Sequence, residues 1–329
     1  MIAEGPEGRT FERHVWPRQA HKALCRIQSY NCGFIPFERL YRSGDRSSGR
    51  SGDRTSEMTH YYLGYISLAL YTASFLCYAR FLYVPDLWLG RMATFLLASG
   101  IVMHYFALLE RSRWIHTVPY NDLYGSMSLF AWLLGVTYLG LELFHRQRSV
   151  GAFVTLLLIV WIVLLAALAP NEAPPPPPAR GPLFAFHVTL NTWAYAAFAL
   201  SFVLSLIYLG QDRVLRSRKL ATPFWRFPAL DVLDRMARSS VYVGLVALIM
   251  GVIMGLVWEH RLSGGYSWGD PKVVITLAIL AAYVAYLRLS RSTAWRGARA
   301  AKLCAFNFAV VLFSYTFVNL YLTRFHRFF

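Results

Sequence analysis

Residues 258–272 read Trp258-Glu-His-Arg-Leu-Ser-Gly-Gly-Tyr-Ser-Trp-Gly-Asp-Pro-Lys272, a polar and aromatic stretch held between two long apolar runs, Ser239–Val257 and Val273–Leu287. At a helical rise of about 1.5 Å per residue, each run has the length of a bilayer-spanning helix. A loop flanked in this way lies at a membrane surface. Trp258, Tyr266 and Trp268 carry flat apolar faces with polar edges, which suit the headgroup region or a planar ligand. Gly264, Gly265 and Gly269 permit tight turns and close backbone approach.

Working outward, the same alternation of apolar runs and short polar connections fills the chain. It has 329 residues, is 56% hydrophobic and 16% aromatic, and has a mean hydropathy of +0.39. Apolar runs fall at 61–82, 91–109, 126–144, 150–169, 183–209, 239–258, 273–290 and 303–323. The expected fold is therefore all-α, a polytopic transmembrane helical bundle of about eight spans embedded in a lipid bilayer. The formal charge of +16 resides mostly in short segments between runs, where Lys and Arg set topology and meet lipid headgroups, so a nucleic-acid partner is not indicated. Cys25, Cys32, Cys77 and Cys304 form no CxxC pair, which argues against a thiol redox or zinc site.

Residues 1–57 are polar, rich in Arg, Ser and Gly, and lack a sustained hydrophobic period or a signal-peptide core; they read as a disordered extension. Met58 stands immediately before the first apolar run, so a start there is an alternative. The transmembrane domain is then 58–329. Orientation follows from basic residues in the connections. The fifth connection carries Arg213, Arg216, Arg218, Lys219, Arg226, Arg235 and Arg238, and the seventh carries Arg291, Arg296, Arg299 and Lys302. The sixth has only Arg261 and Lys272. This places the fifth and seventh in the cytoplasm and, with eight spans, both termini and the 258–272 loop outside. The ten basic residues of 1–57 oppose that arrangement, which favours the later start. Pro174–Pro178 reads as a stiff polyproline spacer on the outer surface.

In this topology His60, His116, His187, His260 and His326 all fall at or near the outer face. His187 lies about one turn inside the fifth span and His326 follows the eighth. Neutral imidazole is a good axial ligand for haem iron, and two imidazoles flanking an aromatic loop would hold the macrocycle between them. The plain alternative for either is an interfacial hydrogen-bonding residue. His260 is a fallback ligand. His104, mid-span in the second run, reads as a buried residue bonded to a neighbouring helix, and Glu110–Arg113 as a solvated interface.

These features together resemble the cytochrome c assembly family of membrane proteins, the CcsA, CcmC and HemX-like group. Tyr-Ser-Trp-Gly-Asp-Pro-Lys at 266–272 is similar to the end of that family's tryptophan-rich haem loop. His187-Val188 and His326 resemble its flanking outer-face histidines, and Asn319-Leu320 precedes the second as in the family. Pro119-Tyr-Asn-Asp-Leu-Tyr-Gly-Ser126 resembles its Pro-x-x-Asn-Leu-Tyr-Glu-Ser segment. The resemblance implies a bacterial inner-membrane protein that handles non-covalently bound, b-type haem at the periplasmic face. His187 and His326 would be the iron ligands; Trp258, Tyr266, Trp268 and Asp270 would form the loop platform, with Arg261 and Lys272 near the propionates. Apocytochrome c or other maturation proteins would be partners, and the chain could belong to a haem-attachment system.

Three departures temper the carry-over. The loop has two tryptophans where haem-delivering members have several; Gly269 intervenes before Asp270, and Val273 stands where the family has an acid. Arg288 occupies the position of an inner histidine and cannot ligate iron at ordinary pH. Gly125 replaces a glutamate. The departures point toward the HemX-like branch, a non-catalytic regulator or scaffold of haem synthesis. A transporter is disfavoured by the absence of paired intramembrane charges and of an internal repeat.

Overall fold

The computed structural model describes residues 46–115, 118, 123–168, 181–217, 228–266 and 268–317. The chain divides into two units, Met1–Ser51 and Gly52–Phe329; of the first, only the start of the first helix is described. The described residues form eight α-helices: α1 (Arg46–Tyr83), α2 (Leu87–Trp114), α3 (Leu123–His145), α4 (Gly151–Leu168), α5 (Gly181–Ser217), α6 (Leu230–Ser263), α7 (Pro271–Leu289) and α8 (Ala298–Phe317). A short 3-10 turn, Thr293–Trp295, joins the last two.

Each expected apolar run is represented by a helix. Among the described residues, six helices are long and apolar enough to cross a membrane: Met58–Tyr83, Leu87–Trp114, Tyr124–His145, Gly181–Ser217, Leu230–Ser263 and Pro271–Leu289. The chain is a multi-pass membrane protein. Gly151–Ala167 is apolar but shorter, and α8 is not among the six. Large apolar side chains stay on the outside of the bundle, Phe95, Val246 and Phe313 among them, as lipid-facing helices require.

Two boundaries differ from the sequence expectation. Helix α1 begins at Arg46, inside the stretch read as a polar extension, because no proline interrupts 46–83 and the helix propagates back from its apolar part. The loop expected over 258–272 contracts to 264–270. Trp258, Glu259, His260 and Arg261 are helical, and Lys272 lies in the first turn of α7. The first true breaker after Val257 is Gly264, which takes the left-handed conformation at φ 70° and donates its N–H to the His260 carbonyl. At the other edge, Asp270 caps α7 by accepting the Lys272 N–H at 2.8 Å, with Pro271 opening the helix.

Pairings between helices give an up-and-down arrangement. Ser74 of α1 donates to the Ala93 carbonyl of α2, Trp161 of α4 donates to the Met127 carbonyl of α3, and Asn307 of α8 donates to the Ala282 carbonyl of α7. The most extensive packing joins α5 to α6. Their antiparallel register is set by small residues on α6, which let large α5 side chains approach the backbone. A Cβ at Gly244 would meet the Phe198 ring at 2.5 Å, one at Gly251 would meet Asn191 at 3.0 Å, and one at Gly255 would meet His187 at 2.4 Å. Continuing one turn, Phe184 packs on Trp258 with ring centroids 4.8 Å apart. Deeper in the bundle, Phe198 stacks on Tyr283 of α7 at 3.8 Å and Ser201 meets Cys304 of α8.

At the end of the bundle opposite Trp258, α1, α2 and α3 are tied by a buried carboxylate. Tyr78 donates to Glu142 at 2.6 Å, the Thr94 hydroxyl meets the other carboxylate oxygen, and Arg148 donates to Thr94 at 3.1 Å while lying 3.8 Å from Glu142. With Glu142 only 2% exposed, these partners are what offset its desolvation.

Candidate functional site

The end of the bundle that holds the 264–270 loop gathers two groups of aromatic and imidazole side chains. The first surrounds His187, half-buried one and a half turns into α5. Its Nδ1 lies 2.7 Å from the Gly251 carbonyl oxygen. A carbonyl only accepts, so Nδ1 carries the proton, and in the neutral ring the lone pair falls on Nε2. The Asn191 amide nitrogen, 3.2 Å from Nδ1, directs a hydrogen to the His187 carbonyl at 2.8 Å and steadies the same turn. A backbone bond that fixes the tautomer of an imidazole is the arrangement found behind metal-binding histidines. Phe184, 6.3 Å from the imidazole between ring centroids, bridges His187 to Trp258.

The second group lies beyond the helix end. His260 stacks on Tyr266 at 5.0 Å and 19°, and Tyr266 lies 5.6 Å from Trp268. Tyr266 and Trp268 are about half exposed, at 49% and 58%. Arg261 is exposed on the last turn of α6 and Lys272 is half-buried on the first turn of α7. The structure thus brings Trp258 to His187 through Phe184, and Tyr266 and Trp268 to His260. His326 and His116 lie outside the described residues, as do Ser267 and the Pro174–Pro178 run.

Sequence reading missed Phe184, Asn191, Gly251 and Gly255. The Gly-x-x-x-Gly spacing of 251 and 255 was the available signal, since small residues four apart on an apolar helix mark a face where another helix comes close.

A third set of polar residues lies at the same end, among α1, α2 and α3. His60 Nδ1 meets the Ala107 carbonyl at 2.9 Å, and the buried Arg111 guanidinium sits 4.3 Å over the Tyr124 ring. Tyr124 belongs to the 119–126 segment singled out above. His104 spans Tyr71 of α1, 3.2 Å away, and Ser128 of α3, 2.9 Å away, which is the buried, hydrogen-bonded role expected of it. Glu110 pairs with Arg113 at the surface as expected, whereas Arg111 turns inward. Arg288 is exposed on the last turn of α7.

The fold and this polar end define the class: a helical-bundle, multi-pass membrane protein with a short aromatic loop between two long helices. Residues 120–326 match the family model described as cytochrome C assembly protein, and the chain belongs to that family. The matched segment takes in His187, the whole 258–272 stretch and His326, while α1 and α2 precede it. Among relatives, protein HemX of Brevibacillus brevis is 24% identical over 223 residues, covering 68% of this chain and 82% of that protein. HemX of Bacillus subtilis is 30% identical over 146 residues, 44% of this chain and 52% of the relative. The cytochrome c biogenesis protein CcsA of Prochlorococcus marinus strain MIT 9301 is 27% identical over 227 residues, 61% of this chain and 72% of the relative.

Proposed function

We propose that this protein binds haem non-covalently at the outer face of a bacterial inner membrane and presents it during cytochrome c biogenesis. The observation that carries the reading is the hydrogen bond from His187 Nδ1 to the Gly251 carbonyl, which gives the imidazole the tautomer an axial ligand needs. His326, the last residue of the family match, is the second ligand in this reading. Bound haem would supply the porphyrin vinyl groups with which a partner's thiols react. The chain's own part is to hold and orient it. His187 supplies the axial nitrogen; Trp258, Tyr266 and Trp268 supply aromatic surface; Asp270 fixes the loop where it enters α7; and Arg261 and Lys272 supply positive charge for propionates. No covalent chemistry is assigned to the chain itself; positioning is its contribution to a haem-attachment system.

In this reading all eight helices span, both termini lie outside, and the partners are apocytochrome c or other maturation proteins. Occurrence of both CcsA and HemX among the relatives supports the family-level role. A second reading is a HemX-like regulator or scaffold of haem synthesis, which needs no haem transfer. It is favoured by the stacking of Tyr266 on His260, with Trp268 tilted against Tyr266, which engages these loop rings within the chain itself. Haem quantified in the detergent-purified protein decides between them: stoichiometric retention of haem supports the first reading, and protein purified without haem from haem-replete cells supports the second.

A further inference from the structure

The α7–α8 turn concentrates positive charge. On α5 and α6 three arginines are matched one turn away by acids: Arg216 pairs with Asp212, Arg235 with Asp231 and Arg238 with Asp234. Around the α7–α8 turn stand Arg288, Arg291, Arg296, Arg299 and Lys302, all exposed, and the sequence contains no Asp or Glu after Asp270. Five cations therefore accumulate within a turn and one flanking helical turn on each side, directly after the candidate span Pro271–Leu289.

The segment is also firmly built. Gly297, at φ 76°, lets the turn close over α5, where a Cβ would meet the Tyr208 hydroxyl at 2.9 Å. Arg291 donates to the Tyr242 hydroxyl of α6, and Arg299 donates to the Ala294 carbonyl at 2.8 Å, holding the Thr293–Trp295 turn. Trp295, 40% exposed, and Tyr242, 42% exposed, flank the cations with amphipathic rings of the kind that settle at headgroup level. Among the described residues, three arginines of α5 and α6 thus have acidic partners one turn away, whereas no acid pairs with the cations of this turn.

We infer that the α7–α8 turn is a binding site for the phosphate headgroup of an acidic phospholipid, held by Arg288, Arg296 and Lys302 on a frame fixed by Arg291 and Arg299. The headgroup phosphodiester supplies the missing anion, and the acyl chains lie along the lipid-facing side of α7, where Val284 and Leu277 are exposed. The site is independent of the His187 reading and of which side of the membrane the turn faces.

Native mass spectrometry of the purified full-length protein, titrated with phosphatidylglycerol or with phosphatidylcholine, tests this on folded molecules alone. The wild type should retain phosphatidylglycerol in preference to phosphatidylcholine. The R288Q/R296Q/K302Q variant, which spares both internal hydrogen bonds, should bind phosphatidylglycerol more weakly by about fivefold for each cation removed. R216Q/R235Q/R238Q, which removes acid-paired arginines, should bind as the wild type does. Equal binding by the first variant, or an equal loss in the second, overturns the assignment. Competition by inorganic phosphate as effective as the lipid itself would also overturn it, since the ligand would then be a soluble phosphate.

Discussion

The Nδ1–H of His187 donates to the carbonyl oxygen of Gly251 across 2.7 Å, from α5 to the adjacent α6. One turn further along α6, Gly255 leaves the space the imidazole occupies: a Cβ there would come within 2.4 Å of the same nitrogen. The orientation of the histidine is thus written into two glycines of another helix.

Gly255→Ala should therefore displace the His187 ring. Overpacking of this kind costs about 1–3 kcal/mol, so the protein should still accumulate while its haem content falls. Gly140→Ala, at a position with nothing within 4 Å, is the control and should leave both unchanged. Haem-to-protein ratios of the purified variants measure the difference; an unaltered ratio in Gly255→Ala would mean that the ring position does not govern binding.

Glu142 offers a test of what holds the first three helices together. Glu142→Leu removes the acceptor of Tyr78 and Thr94 and the counter-charge of Arg148, and a buried polar group left unsatisfied costs about 1–3 kcal/mol. Asp231→Asn breaks a pair whose side chains are 54% and 62% exposed, where the expected cost is about 0–1 kcal/mol. Thermal unfolding in detergent should show a much lower midpoint for the first and almost none of that change for the second. Equal midpoints would show that the buried network is not a stabilising tie.

Sidedness can be read by thiol labelling in intact cells, with the four native cysteines replaced by serine. Ser263→Cys, at the end of α6, should react with an impermeant reagent, and Ser217→Cys, at the end of α5, should be protected. The opposite pattern would invert the proposed topology.

Residues 1–57 should be dispensable for insertion, because the candidate span Met58–Tyr83 and the family match over 120–326 both lie beyond them. A chain beginning at Met58 should reach wild-type membrane levels. Its loss from the membrane fraction would assign those residues a role in folding.

Much of the architecture was legible because apolar runs of span length have few alternatives, and all eight gave helices. The polar loop was read too long because polarity was taken as a helix end, whereas Trp258–Ser263 contains neither Gly nor Pro and the helix continues until Gly264. His187 stood out by position and residue type. Its partners did not: which α6 residues face it depends on the register of two helices, and only the spacing of Gly251 and Gly255 hinted at that. Glu142 was hidden for the same reason, since Tyr78, Thr94 and Arg148 are distant in sequence and meet only in the packed bundle.

The central claim is that His187 ligates haem iron, and absorption spectra of the oxidised and dithionite-reduced protein, purified in detergent, address it most directly. Wild type should show a low-spin haem spectrum. His187→Ala should lose haem or shift to a five-coordinate form, with the wild-type reduced spectrum restored in His187→Gly by added imidazole. His145→Ala, whose ring meets Ser239 at the opposite end of the bundle, should match the wild type. A His187→Ala protein with wild-type haem content and an unchanged reduced spectrum would contradict the account.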